Sequence, residues 1–206
     1  MGFKKNLLTK FNIFLHSLKF RHNPRILANS MPKAGTHLLT RFISFLPGMK
    51  GTSFIDIGPN LGIEEFTEKE RARAEKFLRK IKNGFYGKSH CFYFDELVEL
   101  LERYTIKCIT IIRDPRDVCV SDYHYILKNK SHRLHQVYRQ MASNDERCMA
   151  SIVGLSSEYL NGEPPSLDIG THYKNYIGWQ GYSNGLVIKY EDLIGSKGCG
   201  SDDKQA

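Results

Sequence analysis

Several large classes of protein are excluded by what this chain does not have. Its five cysteines, Cys91, Cys108, Cys119, Cys148 and Cys199, form no CxxC pair and no regular spacing. That argues against a zinc ribbon or a small disulfide framework and for reduced, mostly buried thiols in a reducing, cytoplasmic compartment. No apolar run approaches the roughly 20 residues that cross a bilayer. No stretch repeats, and none is low in complexity. Acidic residues are missing from the first 55 positions, where nine Lys or Arg precede Asp56, while the remainder holds 21 basic against 22 acidic residues. The formal charge of +8 therefore belongs to one end. A nucleic-acid binder spreads its basic residues along a groove-facing element among exposed aromatics, so this asymmetry reads as attraction of a smaller anionic substrate, with no nucleic-acid partner.

What is present suffices for one core. With 206 residues, 41% apolar and 12% aromatic, the chain can bury a single α/β domain. The expected organisation is a basic amphipathic helix over 1–22, an α/β domain over 23–194 and a polar, flexible tail over 195–206. In the first segment Leu7, Leu8, Phe11, Phe14, Leu15 and Leu18 fall at helical spacing with Lys4, Lys5, Lys10 and Lys19 between them. Such a helix either packs on its own domain or makes a peripheral contact with an anionic membrane surface. It lacks the uninterrupted apolar core and cleavage site of a secretory signal.

Further along, Ile26 to Met31 reads as a strand, Pro32-Lys33-Ala34-Gly35 as a tight turn, and the stretch from Thr36 through Leu38, Leu39, Phe42, Ile43 and Phe45 as an amphipathic helix. A strand that feeds a small-residue turn and a helix aims unpaired backbone N–H groups at one point, an anion site to which Lys33 adds a full charge. The spacing differs from GxxxxGK[ST], because Lys33 precedes Gly35 and Thr36. Pro47 and Gly48 break the chain, and Gly58-Pro59-Asn60 with Gly62 mark a loop. Thr67 to Glu70 is a capping box that opens a helix carrying Phe77, Leu78 and Ile81. Phe85 to His90 is a strand with a polar end, Asp95 is positioned to cap a helix with Leu97, Leu100, Leu101 and Tyr104, and Thr105 to Ile112 is a β-branched run suited to a parallel strand covered on both faces. Gly185 onward is another short strand that stops at the acidic turn Glu191-Asp192. Segments 51–66 and 129–169 read as loop-rich.

Strands alternating with helices imply βαβ units and a mostly parallel sheet flanked by helices. Ligands of such sheets sit beyond the strand C-terminal ends, and Lys33, His90 and Arg113 each fall just past one, so all three should line one crevice. After Arg113, Asp114 is placed as N-cap and Pro115 as first helical residue, with Ser121 two turns in. An arginine and a hydroxyl so arranged can address one phosphate, whereas the structural alternative pairs Arg113 with Asp117. His124, His132 and His135 have no cysteine or acid at metal-ligand spacing, and no metal is expected.

Together these stretches resemble the sulfotransferase family that uses 3′-phosphoadenosine 5′-phosphosulfate (PAPS). Pro32 to Thr36 is similar to its 5′-phosphosulfate loop, Arg113 to Ser121 to its 3′-phosphate motif, Lys189 to Leu193 to its Tyr-Glu-Asp segment, Gly87 to His90 to its Lys-Thr-His, and Gly170 to Trp179 to its Gly-x-x-x-x-His-x-x-x-Trp stretch. The resemblance implies a P-loop NTPase-like α/β fold with PAPS as co-substrate, no metal, and a small-molecule or glycan acceptor. It implies binding of the donor by Lys33, Ala34, Gly35, Thr36, His37, Arg113, Ser121 and Tyr190, with Tyr190 on the adenosine side. It also implies catalysis by Lys33 at the bridging oxygen, His90 as general base and Lys88 near the sulfuryl oxygens, while His172 shapes the acceptor pocket. Ala34, His37 and Leu38 depart from the Ser, Thr and Trp usual there. The family's C-terminal Arg-Lys-Gly clamp has no counterpart, so the expectation is a truncated chain that either transfers sulfate or is a catalytically silent homologue binding nucleotide or a protein partner.

Overall fold

The computed structural model describes residues 2–54 and 66–198. In chain order these form α1 (Gly2–Lys19), β1 (Arg25–Ser30), α2 (Thr36–Phe45), β2 (Lys50–Phe54), α3 (Glu68–Leu78), β3 (Phe85–Ser89), α4 (Asp95–Arg103), β4 (Ile106–Ile112), α5 (Pro115–Lys128), α6 (His135–Gln140), α7 (Asn144–Val153), α8 (Ile169–Ile177), β5 (Gly185–Lys189) and α9 (Tyr190–Ile194). The expected loop at Gly58-Pro59-Asn60 and Gly62, residues 199–206 of the tail with Cys199, and the side chains of Lys4, Lys5, Leu7, Leu8 and Lys10 lie outside the described residues.

Five parallel strands pair in the order β2-β3-β1-β4-β5. Helices cover both faces. On one, Leu39 and Ile43 of α2 meet Ile26, Ala28, Tyr86 and Ile111. On the other, Phe77 and Leu78 of α3 and Leu97, Leu100 and Leu101 of α4 bury Leu27, Phe85, Ile106 and Cys108. The two-residue alternation of strand side chains sends Leu27 and Ala28 to opposite layers, which is why the strand reads as continuously apolar. Topology then locates the crevice. β1 and β4 are neighbours, yet the chain leaving β1 goes to β2 at one edge and the chain leaving β4 goes to β5 at the other. Their diverging loops open a gap at the strand C-terminal ends, the place where open α/β sheets take ligands.

Local expectations hold at most boundaries, and three require correction. Asp95 is the first residue of α4, not its cap; the N-cap is Phe94, and Asp95 instead accepts a hydrogen bond from the Tyr93 hydroxyl at 3.1 Å. Residues 50–54 form an edge strand, because backbone pairing to β3 suffices where the sequence Lys-Gly-Thr-Ser-Phe shows no apolar alternation. Within 129–169 lie two helices, and α7 starts from a signal present in the sequence: Ser143 accepts from the Glu146 N–H, and Glu146 reaches back to the Ala142 N–H at 2.7 Å. The Thr67 capping box forms as read.

α1 is fastened at its C-terminal end. His16 Nε2 lies 3.0 Å from the Gly48 carbonyl, its ring meets Phe85 edge-on, and Asn23 donates to the Pro47 carbonyl. Phe11, Phe14, Leu15 and Leu18 remain exposed.

Candidate functional site

The turn after β1 is built by two unusual backbone conformations. Lys33 and Gly35 both have positive φ, at 66° and 106°. At Gly35 a Cβ would lie 2.6 Å from Tyr190 Cδ2, so only glycine lets the tyrosine ring of α9 lie against the turn. Ala34 is fully buried and its N–H closes the turn on the Met31 carbonyl at 3.0 Å; that donor is engaged within the turn. α2 starts from Gly35 with no side-chain cap and no acid in its first turn. Its first N–H groups and the positive end of its dipole therefore face the crevice uncompensated.

An open cleft of about 620 Å³ is walled by Pro32, Lys33, Gly35, Thr36, His37, His90, Arg113, Ser121, Tyr125, His132 and Tyr190. Nearly every residue singled out from the sequence is there; Ala34 lies in the core behind the turn, and Lys88 lies within β3, two residues before His90, and is not part of this wall. The Lys33 ammonium rests 4.0 Å from the centre of the Tyr125 ring. Burial lowers its pKa, and the Arg113 charge adds to the lowering against the opposing pull of Asp122.

His90 is aimed by β1. Its Nδ1 stands 2.7 Å from the Ser30 carbonyl oxygen and 3.1 Å from Ser30 Oγ, which in turn lies 2.6 Å from Thr36 Oγ1. A carbonyl can only accept, so Nδ1 carries the proton and Nε2 keeps the lone pair needed by a base. The segment carrying His90 is pinned by a buried residue the sequence reading passed over. Asn29 accepts from the Ser89 hydroxyl at 2.9 Å and the Cys91 N–H at 2.8 Å, and donates to the Cys91 carbonyl at 3.0 Å.

Arg113 is held on two sides. Its guanidinium lies 4.4 Å from the Tyr190 ring centre, and Nη2 reaches Asp117 at 3.3 Å. The structural pairing considered from the sequence is thus present. It leaves the buried Nε without a partner among the described residues. Glu191 accepts from the Asp114 N–H at 2.9 Å, so the Tyr-Glu-Asp segment buttresses the Arg113 turn. Tyr190, expected on the adenosine side, packs between that arginine and Gly35. Asp114 caps α5 and is bound by Arg116, which holds its carboxyl down to about 2.

α5 separates this cleft from a second, smaller cavity of about 170 Å³. Ser121 and Tyr125 face the cleft, whereas Val118, Cys119, Asp122 and Ile126 face the cavity. Pro32, Lys33 and His132 border both. His172 lies on the cavity wall, where burial, with His90 nearby, depresses its pKa to about 4. Asp122, also missed in the sequence, is raised to about 6 by burial against the effects of Lys33 and Ser151.

A parallel α/β sheet with an uncapped helix, a lysine turn and an arginine turn at its switch point gathers positive charge where open α/β sheets present their ligand crevice. The chain belongs to the sulfotransferase-domain family, whose model matches residues 23–196. Among solved structures, mouse sulfotransferase SULT7A1 complexed with PAP is 20% identical, aligns over 87% of this chain and 57% of its own, and has a TM-score of 0.52; the two share a fold. This chain spans little more than half of that structure. A sulfotransferase from Alicyclobacillus acidocaldarius (18% identity, 84% and 75% coverage, TM-score 0.44) and retinol dehydratase in complex with androsterone and inactive cofactor PAP (16%, 86% and 60%, 0.41) are also similar. No curated protein matches the chain.

Proposed function

We propose that this chain transfers a sulfuryl group from PAPS to a hydroxyl or amine of a small acceptor. The observation that carries the reading is the meeting of two chambers at Lys33: a large cationic cleft on one side of α5 and a smaller, mostly apolar cavity on the other. The chain's own groups fit such a donor, since the uncapped start of α2 and the Arg113 Nε, which has no partner among the described residues, supply donors for two separate phosphates. Bound in the cleft, PAPS would supply an activated sulfuryl group.

In this reading Gly35, Thr36 and His37 offer backbone N–H groups to the 5′-phosphate, and Arg113 with Ser121 takes the 3′-phosphate. Lys33 compensates negative charge on the bridging oxygen as the sulfur–oxygen bond to the nucleotide breaks. His90 Nε2 accepts the acceptor's proton as the new oxygen–sulfur or nitrogen–sulfur bond forms, a role that typically contributes about 10²–10⁴-fold. Adenosine 3′,5′-bisphosphate leaves. Lys88, on β3 and off the cleft wall, has the weakest support of the proposed catalytic groups.

Calorimetry with adenosine 3′,5′-bisphosphate and a labelled-donor transfer assay test this. Binding together with transfer that is lost in Lys33→Ala and His90→Ala is expected. Nucleotide binding with no transfer to any acceptor would favour the silent homologue, and unchanged transfer in both variants would overturn the assigned roles. The exposed Phe11, Phe14 and Leu18 support a peripheral membrane contact by α1, which co-sedimentation with anionic vesicles checks.

A further inference from the structure

We propose that the chain docks on an anionic lipid bilayer through a fixed face built by α1 together with the C-terminal end of α2, and that this face turns the cationic cleft toward water. The proposal rests on the α1 contact proposed above and adds a second element, a lipid class and an orientation. On α1, His16 and Phe20 point inward, four residues apart. His16 Nε2 lies 3.0 Å from the Gly48 carbonyl oxygen, and the Phe20 ring sits so close to Gly48 that a Cβ there would lie 2.2 Å from it. Clamped in this way, the helix leaves Phe11, Phe14, Leu15 and Leu18 exposed along one stripe. Across the Pro47-Gly48 turn, α2 buries Leu39 and Ile43 and exposes Phe42, Phe45 and Leu46, with Phe45 71% exposed. Leu15, Phe45 and Leu46 line one open groove of about 800 Å³, so the two stripes belong to one surface. An exposed apolar surface of this extent marks an interaction site.

Charge selects the occupant. Lys19 and Lys50 stand on the wall of the same groove, and the Arg41 guanidinium lies 5.4 Å from the centre of the Phe45 ring. No acid precedes Asp56 in the sequence, and the groove wall carries none among the described residues. Apolar side chains ringed by cations match a headgroup layer, where the rings enter the acyl boundary and the cations stay at the phosphates. A second copy meeting this face about a two-fold axis would instead set the same cations against one another. Topology fixes the orientation. α1 leads into the start of β1 and Gly48 precedes the start of β2, so the face lies at the N-terminal edge of the sheet, whereas the cleft lies beyond the C-terminal ends. α2 spans the distance between them: Thr36 is on the cleft wall and Phe45 closes the helix, and ten residues cover roughly 15 Å. Ligands of the cleft therefore arrive from the aqueous phase and not from the bilayer.

Co-sedimentation of the full chain with vesicles of phosphatidylcholine, or of phosphatidylcholine mixed with phosphatidylserine, tests the face. Binding to the mixed vesicles should be at least about tenfold tighter than to the neutral ones and should weaken with added salt. Phe14→Ser on α1 and Phe45→Ser on α2 should each lower it about tenfold; circular dichroism confirms that both variants are folded. A loss in Phe14→Ser with unchanged binding in Phe45→Ser would leave the α1 contact standing and overturn the two-element face. Absence of binding by the unaltered chain overturns both, and equal binding to the two kinds of vesicle overturns the lipid class. A dimer that sediments without vesicle binding and dissociates in Phe45→Ser would assign the face to a second copy. Quenching by brominated lipids reads the orientation, with the unaltered chain and its buried Trp179 as baseline. Fluorescence of Phe45→Trp should be quenched and that of Tyr125→Trp, on the cleft wall, should not; quenching in Tyr125→Trp overturns the orientation. None of these readouts uses nucleotide or transfer, so the sulfotransferase reading and this one fail separately.

Discussion

Replacing Asn29 with alanine removes the hub that fixes His90 from both sides. The residue is fully buried in a central strand, and its amide joins β1 to Ser89 and Cys91, the neighbours of the proposed base. After truncation the Cys91 carbonyl keeps Trp179 Nε1 at 3.1 Å. The Cys91 N–H and the Ser89 hydroxyl lose the partner at Asn29 Oδ1. Each stranded buried donor costs about 1–3 kcal/mol, so the expected loss is about 3–4 kcal/mol. For a domain of this size that lowers the melting temperature by about 10 °C. Ser89→Ala removes one donor together with its need for a partner and should cost about 1 kcal/mol. The double variant should then cost less than the sum by about 1 kcal/mol. Urea unfolding monitored by circular dichroism measures all three. Transfer rate should fall more than nucleotide affinity, because the loosened segment carries His90 and not the phosphate turn. A cost for Asn29→Ala below about 1 kcal/mol, or strict additivity with Ser89→Ala, would refute the account of Asn29 as a hub.

Two further outcomes follow from the geometry. Gly35→Ala places a Cβ 2.6 Å from the Tyr190 ring at a φ of 106°, so it should weaken adenosine 3′,5′-bisphosphate binding at least about tenfold, and undiminished affinity in Gly35→Ala calorimetry would sink this. Stability against pH should show two opposed contributions. His172, depressed to about 4, takes up its proton more readily when unfolded, so its contribution is present above about 6.5 and is lost as the pH falls toward 4. Asp122, raised to about 6, binds its proton first in the folded state, so it adds stability as the pH falls from about 6 to 4. Each amounts to about 3 kcal/mol, and they nearly cancel. His172→Gln should therefore become more stable on acidification, and Asp122→Asn less stable, in urea titrations between neutral and acidic pH; two flat profiles would show that neither group is shifted.

What the sequence discloses about this site follows from how local each signal is. Lys33, His90 and Arg113 could be placed together because each follows a strand, and in a parallel sheet every strand end points the same way. The Arg113-to-Ser121 spacing was legible for the same reason, since one cap and two helical turns fix it. Asn29 was not, although an asparagine inside Ile-Leu-Ala-Asn-Ser-Met is out of character for a central strand. Its partners Ser89 and Cys91 lie sixty positions away and reach it only through the β1–β3 register. Tyr190 is assigned to the ligand by resemblance, and its contact with Arg113, which the pairing of β5 with β4 brings about, could not be read from the sequence. The edge strand β2 carried no pattern at all, because backbone bonds to β3 require none.

Asp122 is the most instructive of the omissions. It sits among Val118, Cys119 and Ile126 on one face of α5, where the helical period of 3.6 demands an apolar residue and supplies a carboxylate. The face opposite carries Ser121 and Tyr125 toward the cationic cleft. Read as a list of neighbours, Ser121 and Asp122 are adjacent; read around the helix, they belong to different chambers, and only packing of α5 against α6, α7 and α8 encloses the second one. A single helix therefore divides the cationic cleft from the apolar cavity. A polar residue on its apolar face is the mark that the buried side of that helix lines a cavity and not merely a core.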